Sequence, residues 1–482
     1  MVFTRGDVSG EVDEIDHNEP GSNIEVVSWD GPRDPGNPYN WSLRQKWTLT
    51  ILASFATFVT MMNGTIITVA HVTINEEFGI SDASFPNSYW PVTSWAIGGG
   101  CFSLLILPLM EDFGVRRVFL LTWLVFVCFV IPQALAQNFA TLIVTRFFAG
   151  GCVAILANTS ATVVGNVWDT EKARNIPVSL YIVAYLTGAS IGPVIGAPIY
   201  QFLSWRWIGY LQLIWYGALF PVYAFMFKEC RGVAILGQRA KALRREGKLA
   251  YTQHEIDSEG TSIWRIVGRS ATRPLIMYFT ESVVFFSGMW SAFTVGTLYL
   301  FTQSVEQVFS GLYGWSPSQA GYVQGAIVIG ECIGWVGTLF SGRLYFNSAS
   351  RNTEFPGKPI PEARLYMAII SGVVGLSGGS GSVIVVTGIS DYVVDAYAKY
   401  AGSAVGIIVT GENTFSAFLP LAAMSMYSHL GFRWASTLLA FISLALSLAP
   451  ILFVVYGKEI RARSPFMKEA MLDMRRKSIS SV

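Results

Sequence analysis

From Asn175 to Tyr200 the chain reads NIPVSLYIVAYLTGASIGPVIGAPIY, without one charged side chain. A bilayer core about 30 Å thick takes roughly 20 apolar residues in helical form to cross. Backbone groups in hydrocarbon find no partners outside their own segment, so such a crossing is helical. Working outward, similar windows lie at 139–164, 117–136, 87–109 and 47–71 before it and at 206–227 after it. Beyond a polar stretch, 228–273, which holds ten Lys or Arg residues, they return at 274–302, 318–341, 401–427 and 433–456. The sequence therefore predicts an all-α polytopic membrane protein with ten clear spans. Composition agrees: 52% of residues are hydrophobic and 13% charged, where soluble chains carry about 25% charged.

Several classes drop out. No nucleophile–base cluster and no cofactor loop is visible, which argues against an enzyme and implies no cofactor. The five cysteines, Cys101, Cys128, Cys152, Cys230 and Cys332, have no paired or ligand-like spacing and read as small hydrophobes. Four scattered histidines suggest no metal site, and a net charge of +1 gives no pointer to nucleic acid. The expected partners are membrane lipid, a small-molecule substrate and protons, with a monomer as the expected state.

Basic residues fix the orientation. Arg44, Lys46, Arg116, Arg117, Lys172, Arg174, the 228–273 stretch, Arg343, Arg351, Lys358, Arg364, Lys399, Lys458, Arg461 and Arg463 all fall on one side. The opposite loops, 73–86, 132–138 and 303–317, hold no Lys or Arg. Both termini are therefore expected to be cytoplasmic. The segments are a polar tail (1–45), a six-helix bundle (46–227), a central cytoplasmic loop (228–273), a second helical bundle (274–457) and a tail (458–482). The first tail is polar and acid-rich, so no cleavable signal peptide is expected, and the first span acts as its own insertion signal.

The halves look like repeats. Ser204-Trp205-Arg206-Trp207 opens the sixth span and Gly431-Phe432-Arg433-Trp434 the last, each Arg 159 residues after its half begins at Trp47 or Pro274. Six-span repeats joined by a cytoplasmic loop are the layout of a large transporter class. The second half is shorter. Arg117 to Arg174 covers 57 residues and two crossings, while Arg364 to Lys399 covers 35, with Gly375-Leu-Ser-Gly-Gly-Ser-Gly-Ser382 in the middle. The stretch 364–398 is thus a shallow hairpin or a single span. We read it as lacking about one span's worth of sequence around 376–383.

Three motifs carry chemistry. Gly188-Ala-Ser-Ile-Gly192-Pro193-Val-Ile-Gly196-Ala197-Pro198 spaces glycines for close helix approach, with Pro193 bending the helix. It resembles, residue for residue, the antiporter signature of drug–proton exporters in the major facilitator superfamily, with Ala197 in place of the final Gly. Leu142-Ile-Val-Thr-Arg146-Phe-Phe-Ala-Gly150 puts an Arg about two turns into a span, which is costly unless it is paired. It is similar to the superfamily's span-4 motif, whose Arg the resemblance implicates in proton coupling; Ala149 replaces the usual Gln. Leu107-Pro-Leu-Met-Glu111-Asp112-Phe-Gly114-Val115-Arg116-Arg117 looks like the superfamily's loop motif at Glu111, Gly114 and Arg116 and departs from it at Leu107, Asp112 and Val115. Asn87–Trp95, Ser204–Ile214, Pro361–Leu365, Asp395–Tyr397 and Trp434–Leu439 extend the resemblance to the fungal drug–proton antiporter branch, over about 37–464. Packing or interfacial anchoring is the competing reading for each motif.

The resemblance implies a major facilitator fold of two pseudo-repeated six-helix bundles, the second shortened. It also implies proton-coupled efflux of small hydrophobic molecules by alternating access, in a plasma membrane. The ionisable residues within spans are Arg146, Glu281, Glu331 and Glu412, with Glu331 and Glu412 nearest the midplane. They are the proton-coupling candidates. Asn63, Trp95 and Trp290 are candidate cavity residues. A nutrient symporter or facilitator, and a truncated non-transporting relative, remain the alternatives.

Overall fold

The computed structural model describes residues 25–82, 86–106, 114–258, 263–352, 357–373, 379–397 and 400–469. The first bundle contains α1 (Leu43–Thr65), the short α2 (His71–Phe78), α3 (Trp90–Ile106), α4 (Val115–Ala134), α5 (Phe139–Val167), α6 (Glu171–Phe202) and α7 (Arg206–Met226). Starts follow local chemistry. Ser42 and Gln45 form a reciprocal capping box on α1, and the side chains of Asn138 and Thr170 cap α5 and α6. Gly114, at φ +84°, enters α4 in a conformation that L side chains rarely adopt.

The predicted polar connection is itself folded. It holds α8 (Gly232–Arg245), α9 (Gln253–Ser258) and the start of α10 (Ile263–Thr280). The strand β2 (Ala250–Thr252) pairs in parallel with β1 (Glu25–Val27) of the N-terminal segment. Arg239 clasps Asp34 through two hydrogen bonds of 2.7 and 3.0 Å, tying that segment to the connection. The end of the molecule carrying this unit is called the connector end below, and the other the far end.

In the second bundle α11 (Ser282–Tyr313), α12 (Pro317–Val323) and α13 (Gly325–Asn347) are followed by α14 (Tyr366–Val373), α15 (Gly379–Tyr397) and α16 (Ala401–Arg463). α16 is two helices joined at Gly431, whose φ of +72° makes the turn. Among the described residues nine helices are long and apolar enough to cross a membrane. α3, apolar over 17 residues, supplies the tenth expected span. The seventh expected span, 274–302, is broken at Glu281, which has extended backbone between α10 and α11.

The short stretch forms a hairpin. Arg364 bonds Asp391 and Asp395, and a Cβ on Gly388 would meet Ala368, so α14 and α15 run antiparallel. α14 is only about 12 Å long at 1.5 Å per residue. α15 begins beside Glu331, half-way along the run of α12 and α13 from Pro317 to Asn347, where Gly379 lies against the Ile327 carbonyl and the Glu331 backbone. The two arms therefore rise from the connector end, and α15 begins at mid-depth. Of the positions around the proposed gap, 376–378 lie outside the described residues, and 379–383 open α15.

Candidate functional site

A cavity of ≈ 270 Å³ lies between the two bundles. Its deep wall carries Met61, Trp95, Tyr181, Tyr185, Glu412 and Asn413, and its connector-end mouth carries Glu171, Arg174, Arg364, Asp391 and Asp395. Small residues bring the walls together. A Cβ on Gly150 would fall on the Trp95 carbonyl, and one on Gly98 on the Phe147 carbonyl, so α3 and α5 touch backbone to backbone. At the far end the bundles close on each other. Gly321 packs against Ala197 and the Pro193 carbonyl, and Thr93 donates to the Ala417 carbonyl at 2.9 Å.

The mouth has its own polar lattice. Arg364 reaches Asp391 at 3.1 Å and Asp395 at 3.0 Å, lies 3.6 Å from the Tyr345 ring centroid, and donates across the bundles to Asn175 at 3.1 Å. Tyr345 donates to Glu171 at 3.2 Å, a second crossing of the gap. Arg461 pairs with Glu362 just behind.

Deeper in, each of two carboxyl groups has a hydroxyl partner. Ser291 donates to Glu412 at 2.5 Å on the cavity wall. Ser190, in the glycine-rich stretch of α6, donates across the bundle interface to Glu331 at 2.7 Å, while Glu331 Oε2 has no partner.

The Major Facilitator Superfamily profile matches residues 53–378, more than half of the chain. This chain belongs to the Major Facilitator Superfamily. It is 30% identical to MFS transporter cpaT of Aspergillus oryzae over 472 residues, covering 92% of this chain and 93% of the relative. It is 30% identical over 499 residues to MFS-type efflux pump MFS2 of Trichophyton rubrum, covering 98% and 82%. Both alignments are longer than the part of this chain they use. Roughly a span's length of each relative therefore has no counterpart here. Among solved structures, the human organic anion transporter MFSD10 (TETRAN) superposes with a TM-score of 0.52 at 16% identity, covering 83% of this chain and 99% of that one.

Against this superfamily frame the predicted residues separate. Trp95 and Glu412 line the cavity. Gly188, Gly192 and Gly196 seat α6 on α1, where a Cβ would meet Phe58, Thr65 and Ile66 respectively. Arg146 is buried in the first bundle, donating to the carbonyls of Asn63 (2.7 Å), Gly64 (2.5 Å) and Pro91 (3.0 Å), so it does not reach the outer interface. Glu281 lies at the connector end, accepting from Tyr397 (3.0 Å) and Ser464 (2.6 Å), away from the cavity.

Two cavity expectations are corrected. Asn63 faces into the first bundle, where its amide donates to Gln212 at 2.6 Å. Trp290 faces into the second bundle against Gly372. Asn63 lies two positions from the lining residue Met61, on another face of α1, and no described residue of α11 lines the cavity; depth alone reveals neither.

Of the loop motif, Glu111 lies outside the described residues. Gly114 and Arg116 meet a different acid: Glu229 accepts from the backbone N–H groups of Val115 and Arg116, both at 3.0 Å. Arg116 also donates to the Ala224 carbonyl at 2.8 Å. Sequence reasoning missed Glu229, Asn158, Tyr181, Tyr185 and Asn413. Asn158 and Asn413, amides inside apolar spans, were the available signal.

Proposed function

We propose that this protein exports small hydrophobic molecules in exchange for protons by alternating access, with the connector end on the cytoplasmic side of a plasma membrane. The observation that carries the reading is the apolar and aromatic cavity between the bundles with Glu412 on its wall. Aromatic rings there suit apolar or cationic guests. Glu412 lies on the cavity wall and accepts from the Ser291 hydroxyl, so protonation and substrate can compete for one surface. Arg364 and Tyr345 at the mouth are the groups a substrate entering from the cytoplasm would pass. Glu331, paired with Ser190 across the interface, ties a second protonatable group to the contact between halves. The relative named an efflux pump supports the direction of transport.

The test is transport of a fluorescent lipophilic cation in proteoliposomes under an imposed pH gradient. Wild type should drive uphill movement, and Glu412→Gln should abolish it while leaving gradient-free substrate exchange in place. Uphill transport that survives Gln at both Glu412 and Glu331 would sink the proton assignment. A second reading, a non-transporting relative, is favoured by the half-height hairpin. It wins if correctly folded wild type neither pumps nor exchanges the lipophilic cation.

A further inference from the structure

The basic residues of α8 divide into two sets. Arg239 pairs with Asp34 at 2.7 Å and lies over the Trp29 ring, and Arg244 pairs with Glu255 at 3.0 Å. With Ala240, which is buried, they form the side of the helix that lies against the protein. The other side, at Gln238, Lys241, Ala242 and Arg245, is exposed, three and four positions apart as one helical stripe requires. Lys248, also exposed, continues the stripe just beyond the helix. Lys241, Arg245 and Lys248 take part in no ion pair among the described residues, and Glu246 is the one acid between 238 and 249.

The chain's own leading segment enters beside this stripe. β1 and β2 run in parallel, with Glu25 opposite Ala250, and the Glu25 N–H donates to the Leu249 carbonyl at 2.8 Å. Parallel pairing brings the residues before 25 in from the side of the residues before 250, which are Lys248 and the end of α8. Residues 1–24 lie outside the described residues, and their sequence complements the stripe. Asp7, Glu11, Asp13, Glu14, Asp16 and Glu19 stand in a run, 7–19, that holds no Lys or Arg. The step from Glu25 back to Glu19 can cover at most about 20 Å, and Lys241 and Arg245 are only about 6 Å apart on adjacent turns. Single exposed ion pairs are weak, but a tether holds these acids at a high effective concentration, so several act together. We infer that residues 7–19 dock on the stripe of Lys241, Arg245 and Lys248, an intramolecular contact held by charge that covers the outer side of α8.

The experiment times cleavage after Glu11 and Glu14 by a glutamate-specific protease, using the full chain in phosphatidylcholine nanodiscs at neutral pH. Lys241→Asp, Arg245→Asp and Lys248→Asp together reverse the stripe without adding a glutamate, and should speed cleavage about fivefold, as expected when a few exposed pairs are lost. Salt at about 1 M, which shortens the range of charge to about 3 Å, should speed wild type to the same extent. Adding Asp13→Lys, Asp16→Lys and Glu19→Lys to the reversed chain exchanges the signs and keeps both cleavage sites, so the rate should return toward wild type. The same three changes on an otherwise wild-type chain should leave cleavage fast. A carbodiimide, which joins amines to carboxylates in contact, gives an independent reading in wild type. It should link Lys241 or Lys248 to an acid of 7–19 at low salt, and the link should vanish at high salt. Cleavage indifferent to the charge of the stripe, a sign-exchanged chain that is still cut fast, or no such link would each overturn the proposal. It would equally fall if stripe reversal left cleavage unchanged but abolished retention of phosphatidylserine, or dissolved a dimer, since the stripe would then serve lipid or a second copy.

Discussion

Arg146 directs three of its nitrogens at the carbonyls of Asn63, Gly64 and Pro91, binding α5 to the end of α1 and the entry of α3. Replacing it with Met keeps the bulk but leaves three buried carbonyls unmatched. Each such loss costs about 1–3 kcal/mol, partly relieved by water. Arg146→Met should therefore destabilise the first bundle by roughly 2–4 kcal/mol, read as an earlier midpoint in thermal unfolding in detergent. Arg146→Lys should recover only part, because one ammonium cannot span three acceptors. A variant as stable as wild type would show those carbonyls to be satisfied otherwise. The sequence flagged this arginine through the cost of charge in a span. Its partners were illegible because they are carbonyls, which every residue has. Glu331 and Glu412 were likewise legible as buried acids but indistinguishable by depth. What separates them is helix rotation, which turns Glu412 to the cavity and Glu331 to Ser190.

At the scale of elements, the glycine-rich stretch of α6 acts first as a packing surface. A Cβ on Gly192 would fall on the Thr65 hydroxyl and stand 2.8 Å from the Ile66 nitrogen. The Thr65 hydroxyl is itself fixed, donating to the Ala189 carbonyl at 2.5 Å. Gly192→Ala should thus push α1 from α6 at a cost of about 1–3 kcal/mol. Adding Thr65→Ala should restore part of it, a coupling read by a double-mutant cycle of unfolding midpoints; strict additivity would refute the contact. The N-terminal clasp makes a prediction about pH. Arg239, with the backbone N–H groups of Asp30 and Gly36, holds the Asp34 carboxyl far below the usual carboxylate range. A depressed pKa means the clasp contributes fully above the unfolded value near 4 and is lost as pH falls below it. Protease cleavage of the N-terminal segment should therefore stay slow and constant between about pH 5 and 8, whereas Asp34→Asn should speed it throughout. Acceleration already at pH 6 in wild type would contradict this. Neither strand was legible: three residues each, they pair across more than 200 positions and leave no periodic trace.

For the whole molecule, the two-bundle plan and the shortened second half were legible because both rest on counts, of apolar windows and of residues between basic landmarks. The route of 364–398 was not, since its arms are too short for periodicity to separate a hairpin from a single span. The structure resolves it through pairing: Arg364 with Asp391 and Asp395 at one end and Gly379 with α13 at the other. The hairpin leaves the far-end closure to α6, α12 and the turn after α1. There a Cβ on Gly321 would stand 3.6 Å from Val69 Cγ1 and 2.7 Å from Ala197 Cβ. A Val69→Cys, Gly321→Cys pair, with Ala197→Gly to make room, therefore lies within reach of a disulfide. If transport requires the bundles to part at this end, oxidation should stop export while substrate still binds from the connector side, and a reductant should restore the rate. Export that continues at the wild-type rate with the bridge formed would mean that substrate leaves without opening this contact. The half-height hairpin would then have become a side exit, and alternating access would not describe this chain.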